Sequence, residues 1–146
     1  MVIPEEITEI KDYAFRYCSN LTSVTMGAGV TSIGSYAFSG CSNLASIEIP
    51  AGVTSIGGSA FSGCSSLSSI NLPDGITSIG DGAFMNSGLT SVSIHEFLSE
   101  IGEGAFDGCK ALAKITLKKK NKYYVMVGTS LYTSDKSTLV AKPGGR

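Results

Sequence analysis

Tryptophan is absent from this 146-residue chain, histidine occurs once, and prolines and cysteines number four each. No Lys or Arg stands between Tyr17 and Cys109. Each shortage excludes something. With one histidine, His95, and no sequence neighbour suggesting a triad or a metal triad, a histidine-based catalytic or metal constellation has no partners. The unbroken stretch without bases rules out a continuous basic, nucleic-acid-reading face. No apolar run approaches the ~18 residues of a membrane-spanning helix, and no charged-then-apolar leader opens the chain. The absence of any sustained 3.6-residue apolar period excludes a helical bundle. What is abundant is Gly, at 18 residues, with Ser and Thr spread between regularly placed Ile, Leu, Val and Phe.

That regularity is a repeat. Residues 39–61, SGCSNLASIEIPAGVTSIGGSAF, and residues 62–84, SGCSSLSSINLPDGITSIGDGAF, share fifteen of 23 aligned positions. A third copy precedes them at 16–38, and a fourth, shorter by one residue, follows at 85–106. A fixed period of this length marks a solenoid whose coils bury their apolar faces only by stacking. In each unit the alternation around Ile47 and Ile49 predicts a short half-buried strand. Pro50 closes it, Ala51-Gly52 turns the chain, Val53 and Ile56 return inward, and Gly57-Gly58 makes a second corner before Ala60-Phe61. The Ala-Phe-x-x-Cys piece is short enough to be one helical or 3₁₀ turn and no more. Stacked coils would lie about 4.7–4.9 Å apart, giving seams of Phe15, Phe38, Phe61, Phe84 and Phe106, of Leu21, Leu44, Leu67, Leu89 and Leu112, and of Ile10, Ile33, Ile56, Ile79 and Ile101.

The expected fold is thus a solenoid of mostly short parallel β-strands with short helical or 3₁₀ turns. Residues 1–117 form about five stacked 22–23-residue coils, the first incomplete because Ile3-Pro4 matches Ile49-Pro50 in mid-coil. The chain reads on that basis as a segment of a longer array. Residues 118–146 form a C-terminal capping β-hairpin and tail, with a turn at Ser134-Asp135-Lys136, because a last coil needs its raw edge covered. The N-terminal coil has no comparable cap, which predicts self-association through it.

The units C-S-N-L-A-S-I-E-I-P-A-G-V-T-S-I-G-G-S-A-F resemble the BspA-type leucine-rich repeat, found in surface proteins of bacteria and of some protozoa. The resemblance extends from Ile3 to Gly145. Departures are Gly27, His95 and Lys118 at the corner-proline position and a fourth coil without its cysteine. The resemblance implies an extracellular or cell-surface location, an adhesin-like role in binding host or cell-surface protein or glycan, and no catalytic residues to carry over.

Read residue by residue, the chain offers no enzyme chemistry and calls for no cofactor. Cys18, Cys41, Cys64 and Cys109 share one repeat position, so they form a line rather than a metal-holding tetrahedron. Neighbouring pairs, Cys18 with Cys41 or Cys41 with Cys64, fall within reach of a disulfide, but the favoured reading is a column of buried thiols. Asn20-Leu21-Thr22 fits a glycosylation sequon. Glu96, Glu100, Glu103 and Asp107 read as a solvated acidic edge.

Three features bear on binding. The outward strand positions Ser46, Glu48, Ser69, Asn71, Ser91, Ser93, Lys114 and Thr116 are the candidate interaction face, small and hydroxyl-rich. Phe97 stands where Gly52 and Gly75 stand in their coils, at an outward corner, where its ring either folds back over its neighbours, the favoured reading, or is exposed. Nine bases from Lys110 to Arg146 face Asp135 alone, and Lys110, Lys114, Lys118, Lys119, Lys120 and Lys122 make a candidate anion-binding patch for sulfated glycans, teichoic acids or the acidic coils of another copy, or else charges that protect an edge. Two functions follow: a non-catalytic interaction module, or a passive structural spacer with no ligand of its own.

Overall fold

The computed structural model describes residues 1–145. In chain order the strands are β1 (Val2–Ile3), β2 (Glu9–Ile10), β3 (Ser23–Met26), β4 (Ser32–Ile33), β5 (Ser46–Glu48), β6 (Ser55–Ile56), β7 (Ser78–Ile79), β8 (Ser91–Ile94), β9 (Glu100–Ile101), β10 (Lys114–Leu117), β11 (Tyr124–Val127), β12 (Ser130–Thr133) and β13 (Leu139–Ala141). The first ten belong to a parallel solenoid with two ladders, one more than the alternation around Ile47 discloses. The expected ladder pairs β1, β3 and β5, and further on β8 with β10. The third coil's segment 69–72 joins no sheet among the described residues, so this ladder is interrupted.

The second ladder, β2-β4-β6-β7-β9, is continuous through five coils. Its strands are only Ser-Ile or Glu-Ile pairs, too short to show a period. The 23-residue repeat supplies the register instead, setting Ser55 against Ser78 and Ile56 against Ile79. The preceding Thr adds a hydroxyl ladder: Thr31 Oγ1 donates to the Thr8 carbonyl at 3.1 Å, Thr54 Oγ1 to Thr31 at 3.3 Å, and Ser99 Oγ to Thr77 at 3.1 Å. The glycine closing each V-T-S-I-G unit is required by close approach of the neighbouring coil. A Cβ on Gly57 would lie 2.5 Å from the Ser35 nitrogen, and one on Gly80 2.4 Å from that of Gly58.

The Ala-Phe-x-x-Cys corner is a run of turns, and no described residue is helical. Ala37 N bonds the Gly34 carbonyl, Ser39 N that of Tyr36, and Cys41 N that of Phe38. These are 3₁₀-type bonds. They do not propagate because Tyr36 and Gly40 have positive φ, 59° and 75°, and each reverses the chain.

The Phe seam packs as expected. Successive rings from Phe15 to Phe106 lie 5.3, 5.5, 5.4 and 5.6 Å apart, within 14° of parallel, an offset-stacked column. Phe38, Phe61, Phe84 and Phe106 are fully buried, as are Leu44, Leu67 and Leu89. The ends of the seams differ: Phe15, Cys18, Leu21 and Ile101 are only partly buried.

The cap is larger than a hairpin. Strands β11 and β12 form one, and β13 extends it to a three-stranded antiparallel sheet. Asn121 fastens it to the solenoid: its Nδ2 donates to the His95 and Leu98 carbonyls, both at 2.9 Å, while its Oδ1 accepts from Tyr123 N and Tyr124 N. The Tyr124 hydroxyl accepts from Ile101 N at 2.6 Å, standing where a further coil's carbonyl would continue the second ladder. Behind the last coil Gly144 N bonds the Leu112 carbonyl at 2.7 Å and Gly145 packs on the Cys109 backbone.

Candidate functional site

The cysteine column is a set of hydrogen-bonded thiols. Cys41, Cys64 and Cys109 each donate Sγ–H, at 3.1 Å, to the carbonyl of the preceding coil's Phe: Phe15, Phe38 and Phe84. Each of these carbonyls already accepts a backbone N–H, from Cys18, Cys41 and Ser87 respectively, so the thiol is a second donor that leaves its own hydrogen satisfied. In the fourth coil Ser87 occupies the position, buried and 3.3 Å from Cys109 Sγ, so the column is kept with oxygen for sulfur. No disulfide forms, and burial pushes the Cys64 thiol up to about 12 and raises those of Cys41 and Cys109. A thiol held protonated is a poor nucleophile. Cys18 departs from the expected burial, because no coil covers its outer side and it is partly exposed.

Of the strand-face residues, Ser46, Glu48, Ser69, Asn71, Ser91 and Lys114 are exposed while Ser93 and Thr116 are half-buried. Register places Ser46 beside Ser23 and Glu48 beside Thr25, and Lys114 beside Ser91 and Thr116 beside Ser93. The ladder break at 69–72 divides them into two patches. They offer hydroxyls, the Asn71 amide and two charges, Glu48 and Lys114.

A more specific arrangement lies where the fourth coil's corner meets the cap. His95 takes the place of the corner proline. Its ring is buried, its Nδ1 accepts from Phe97 N at 3.2 Å, and Leu98 N closes on its carbonyl as Val53 N closes on that of Pro50. The side-chain bond does for this turn what the fixed proline φ does for the others. His95 Nε2 is buried without a hydrogen-bond partner. Phe97, held at the tip, is 51 % exposed, with one side of its ring tilted against that of His95 at 6.1 Å. It lines an open groove of about 440 Å³ with Thr77, Glu96, Ser99, Lys120, Lys122 and Tyr123.

Tyr123 is 42 % exposed, and the Lys122 ammonium sits 5.9 Å from its ring centroid. Lys119 Nζ pairs with Glu96 Oε1 at 3.4 Å, an exposed ion pair of small energetic weight. Lys118 is exposed at the end of β10, its N–H bonded to the Ile94 carbonyl. The six lysines do not form one patch around this groove. Lys120 and Lys122 line it, whereas Lys114 opens β10 and Lys110 precedes that strand. Arg146 lies outside the described residues. Sequence reasoning missed Tyr123, although its place beside Lys122 in a basic run was a usable signal.

A second exposed cluster, also missed, occupies the first two coils. Tyr13 and Tyr36 stack at 5.1 Å and 5°. The Arg16 guanidinium lies 4.6 Å from the Tyr17 centroid and 5.3 and 5.0 Å from those of Tyr13 and Tyr36, with Nη2 donating to the Tyr17 hydroxyl at 3.0 Å. The same outer end bears an apolar groove of about 500 Å³ lined by Met1, Val2, Ile3, Ile7, Ala14 and Phe15 among others.

Known proteins place this geometry. Over 79 % of its length the chain is 37 % identical to a leucine-rich repeat protein of T. pallidum, with a TM-score of 0.77, and it spans 56 % of that chain. A leucine-rich repeat protein from Bacteroides ovatus is 35 % identical over 80 % of the chain, TM-score 0.78, and is spanned to 33 %. A leucine rich cell surface protein from Faecalibacterium prausnitzii is 32 % identical over 97 %, TM-score 0.73, and is spanned to 45 %. The chain therefore covers between a third and rather more than half of these structures. No curated protein matches it. The profile of the BspA type leucine rich repeat region matches residues 1–113 in six copies. With the coils, their register and the relatives in agreement, the chain belongs to the BspA-type leucine-rich repeat family.

Proposed function

We propose that the protein is a non-catalytic binding module of a cell-surface or secreted protein, and that the groove between the fourth-coil corner and the cap binds an anionic glycan. The observation that carries this reading is the pairing of two half-exposed rings, Phe97 and Tyr123, with the ammonium groups of Lys120 and Lys122 in one groove. Aromatic rings offer a stacking face to a sugar ring, and fixed cations select sulfate or carboxylate substituents. A surface location is supported by the likeness to a cell surface protein of Faecalibacterium prausnitzii. Repeat modules of this fold present extended faces suited to macromolecular partners.

The middle coils, with only Ser, Thr and one or two charges facing out, suit a spacer, and a retention experiment separates the two readings. On a heparin column at ~0.15 M salt, where the Debye length is about 8 Å, the protein is retained. Retention is lost in Lys120→Ser/Lys122→Ser and reduced in Phe97→Ala. Elution of the unaltered protein in the void at that salt would leave the lysines as edge protection and the coils as a spacer.

A further inference from the structure

We infer that Tyr13, Arg16, Tyr17 and Tyr36 form a second docking platform, on the first two coils, for a neutral glycan. Each Ala-Phe corner needs two residues with positive φ. Later coils supply small or glycine residues, Ser59, Gly82 and Gly104 at the first position and Gly40, Gly63, Asn86 and Gly108 at the second. The first two coils instead put large rings there: Tyr13 at φ 64°, Tyr17 at 61° and Tyr36 at 59°. A side chain in this left-handed region is disfavoured for a bulky residue. Burial does not offset that strain, because Tyr13 is 53 % and Tyr17 67 % exposed.

The rings are nevertheless ordered for contact. Arg16 holds all three, and the Tyr17 ring lies over Gly40, where a Cβ would come within 3 Å of its Cε1 and closer still to its Cδ1. Rings fixed before a ligand arrives lose little entropy on binding. The ligand's chemistry follows from what surrounds them. The adjoining groove, lined by Tyr17, Cys18, Ser19, Asn20 and Leu21, is open rather than enclosed, which suits a flat extended ligand better than a compact apolar one. Phenol hydroxyls, guanidinium N–H groups and the Asn20 amide need hydrogen-bonding partners that a purely aliphatic ligand cannot give. A pyranose offers both a flat C–H face and a rim of hydroxyls. Around the rings the cations Arg16 and Lys11 are balanced by Asp12 and by Glu9, which shares a groove with Lys11 and Asp12, so no net charge selects an ionic ligand. A neutral oligosaccharide meets all of these conditions.

Aromatic-ring NMR of the 146-residue chain tests this with cellohexaose, galactohexaose and N-acetylchitohexaose as probes. At least one shifts the Tyr13, Tyr17 and Tyr36 signals with a Kd on the order of 1 mM, leaves Phe97 and Tyr123 in place, and does so regardless of salt. Tyr17→Gly, which installs the residue of the sister coils, removes the response while melting no lower than the parent, and Arg16→Gln weakens binding with the fold intact. The proposal is overturned if none of the three sugars moves these signals, if the response survives Tyr17→Gly, or if Tyr17→Gly lowers Tm by several degrees, which would make the rings part of the fold. Heparin retention at the other end of the molecule is independent of every one of these outcomes.

Discussion

The tetrapeptide Cys-Ser-Asn-Leu occurs twice, at 18–21 and at 41–44. In the second coil Cys41 and Leu44 are fully buried; in the first, Cys18 and Leu21 are only partly so. Identical residues with identical local turns thus differ because one pair has a coil on each side and the other on one side. At the opposite end Cys109 and Leu112 also have a coil on one side only, yet both are buried, because Gly144 and Gly145 close over them and Asn121 and Tyr124 hold the cap in place. At the Cys and Leu positions burial belongs to the neighbour rather than to the motif, as nearest-neighbour stabilisation of a repeat array requires, whereas in the Ile seam Ile10 is buried at the open end and Ile101 only partly so at the capped one.

The largest test of this comparison is the same deletion made in two places along the Phe seam. Phe61→Ala removes a fully buried ring between two others and costs about 3–5 kcal/mol, while Phe15→Ala, at the open end, costs about 1–2 kcal/mol because its site is part-exposed and can relax. Urea unfolding of both variants measures it. Equal losses would mean that the open end is as tightly held as the middle of the array, and the contrast between them would fail.

The cysteines sharpen the comparison at smaller cost. Cys18 should react with a maleimide on the order of 100 times faster than Cys41, Cys64 or Cys109 in the native protein. Burial raises the three inner thiols, Cys64 to about 12, and their hydrogens are engaged by Phe carbonyls. Peptide mapping after timed alkylation reads the four rates, and uniform labelling would place all four in one environment.

How much of this was legible in advance divides along the same line. The seams and the period were readable because they rest on apolar residues recurring at fixed spacing, and the C-terminal cap because the repeat stops where a last coil needs its raw edge covered. The second ladder was not, since a two-residue strand such as Ser55–Ile56 has no period of its own and exists only by register with its neighbours. Ser87 in the cysteine column was hidden by the one-residue deletion that shifts the fourth coil. The two exposed clusters escaped for a different reason. Tyr13, Tyr17 and Tyr36 lie 4 to 23 residues apart in sequence and meet only through the stacking of coils, and Phe97 meets Tyr123 and Lys122 only once Asn121 has folded the cap back. Asn121, a buried residue with four hydrogen bonds, sits in a polar run where nothing distinguishes it from a loop residue.

The smallest effect belongs to the cap's own turn and asks whether the closed end has a pH limit that the open end lacks. Asp135 Oδ1 accepts from Ser137 N at 2.9 Å and from the Ser137 and Thr133 hydroxyls, both at 2.7 Å, and these bonds hold its carboxyl well below the ordinary range, at about 2. With the folded pKa below the unfolded one, the charged form favours the folded turn. That contribution is complete above about pH 4 and is lost as the pH falls towards 2. Because the carboxylate is fully exposed, the effect is local. The Ser137 amide, protected at pH 5, should exchange measurably faster at pH 2.5 after correction for intrinsic rates, while the Ile56 amide in the middle of the second ladder is unchanged. Asp135→Asn should show the faster exchange already at pH 5. A Ser137 amide whose protection is the same at both pH values would show that the turn is held by β12 and β13 alone, without the carboxylate.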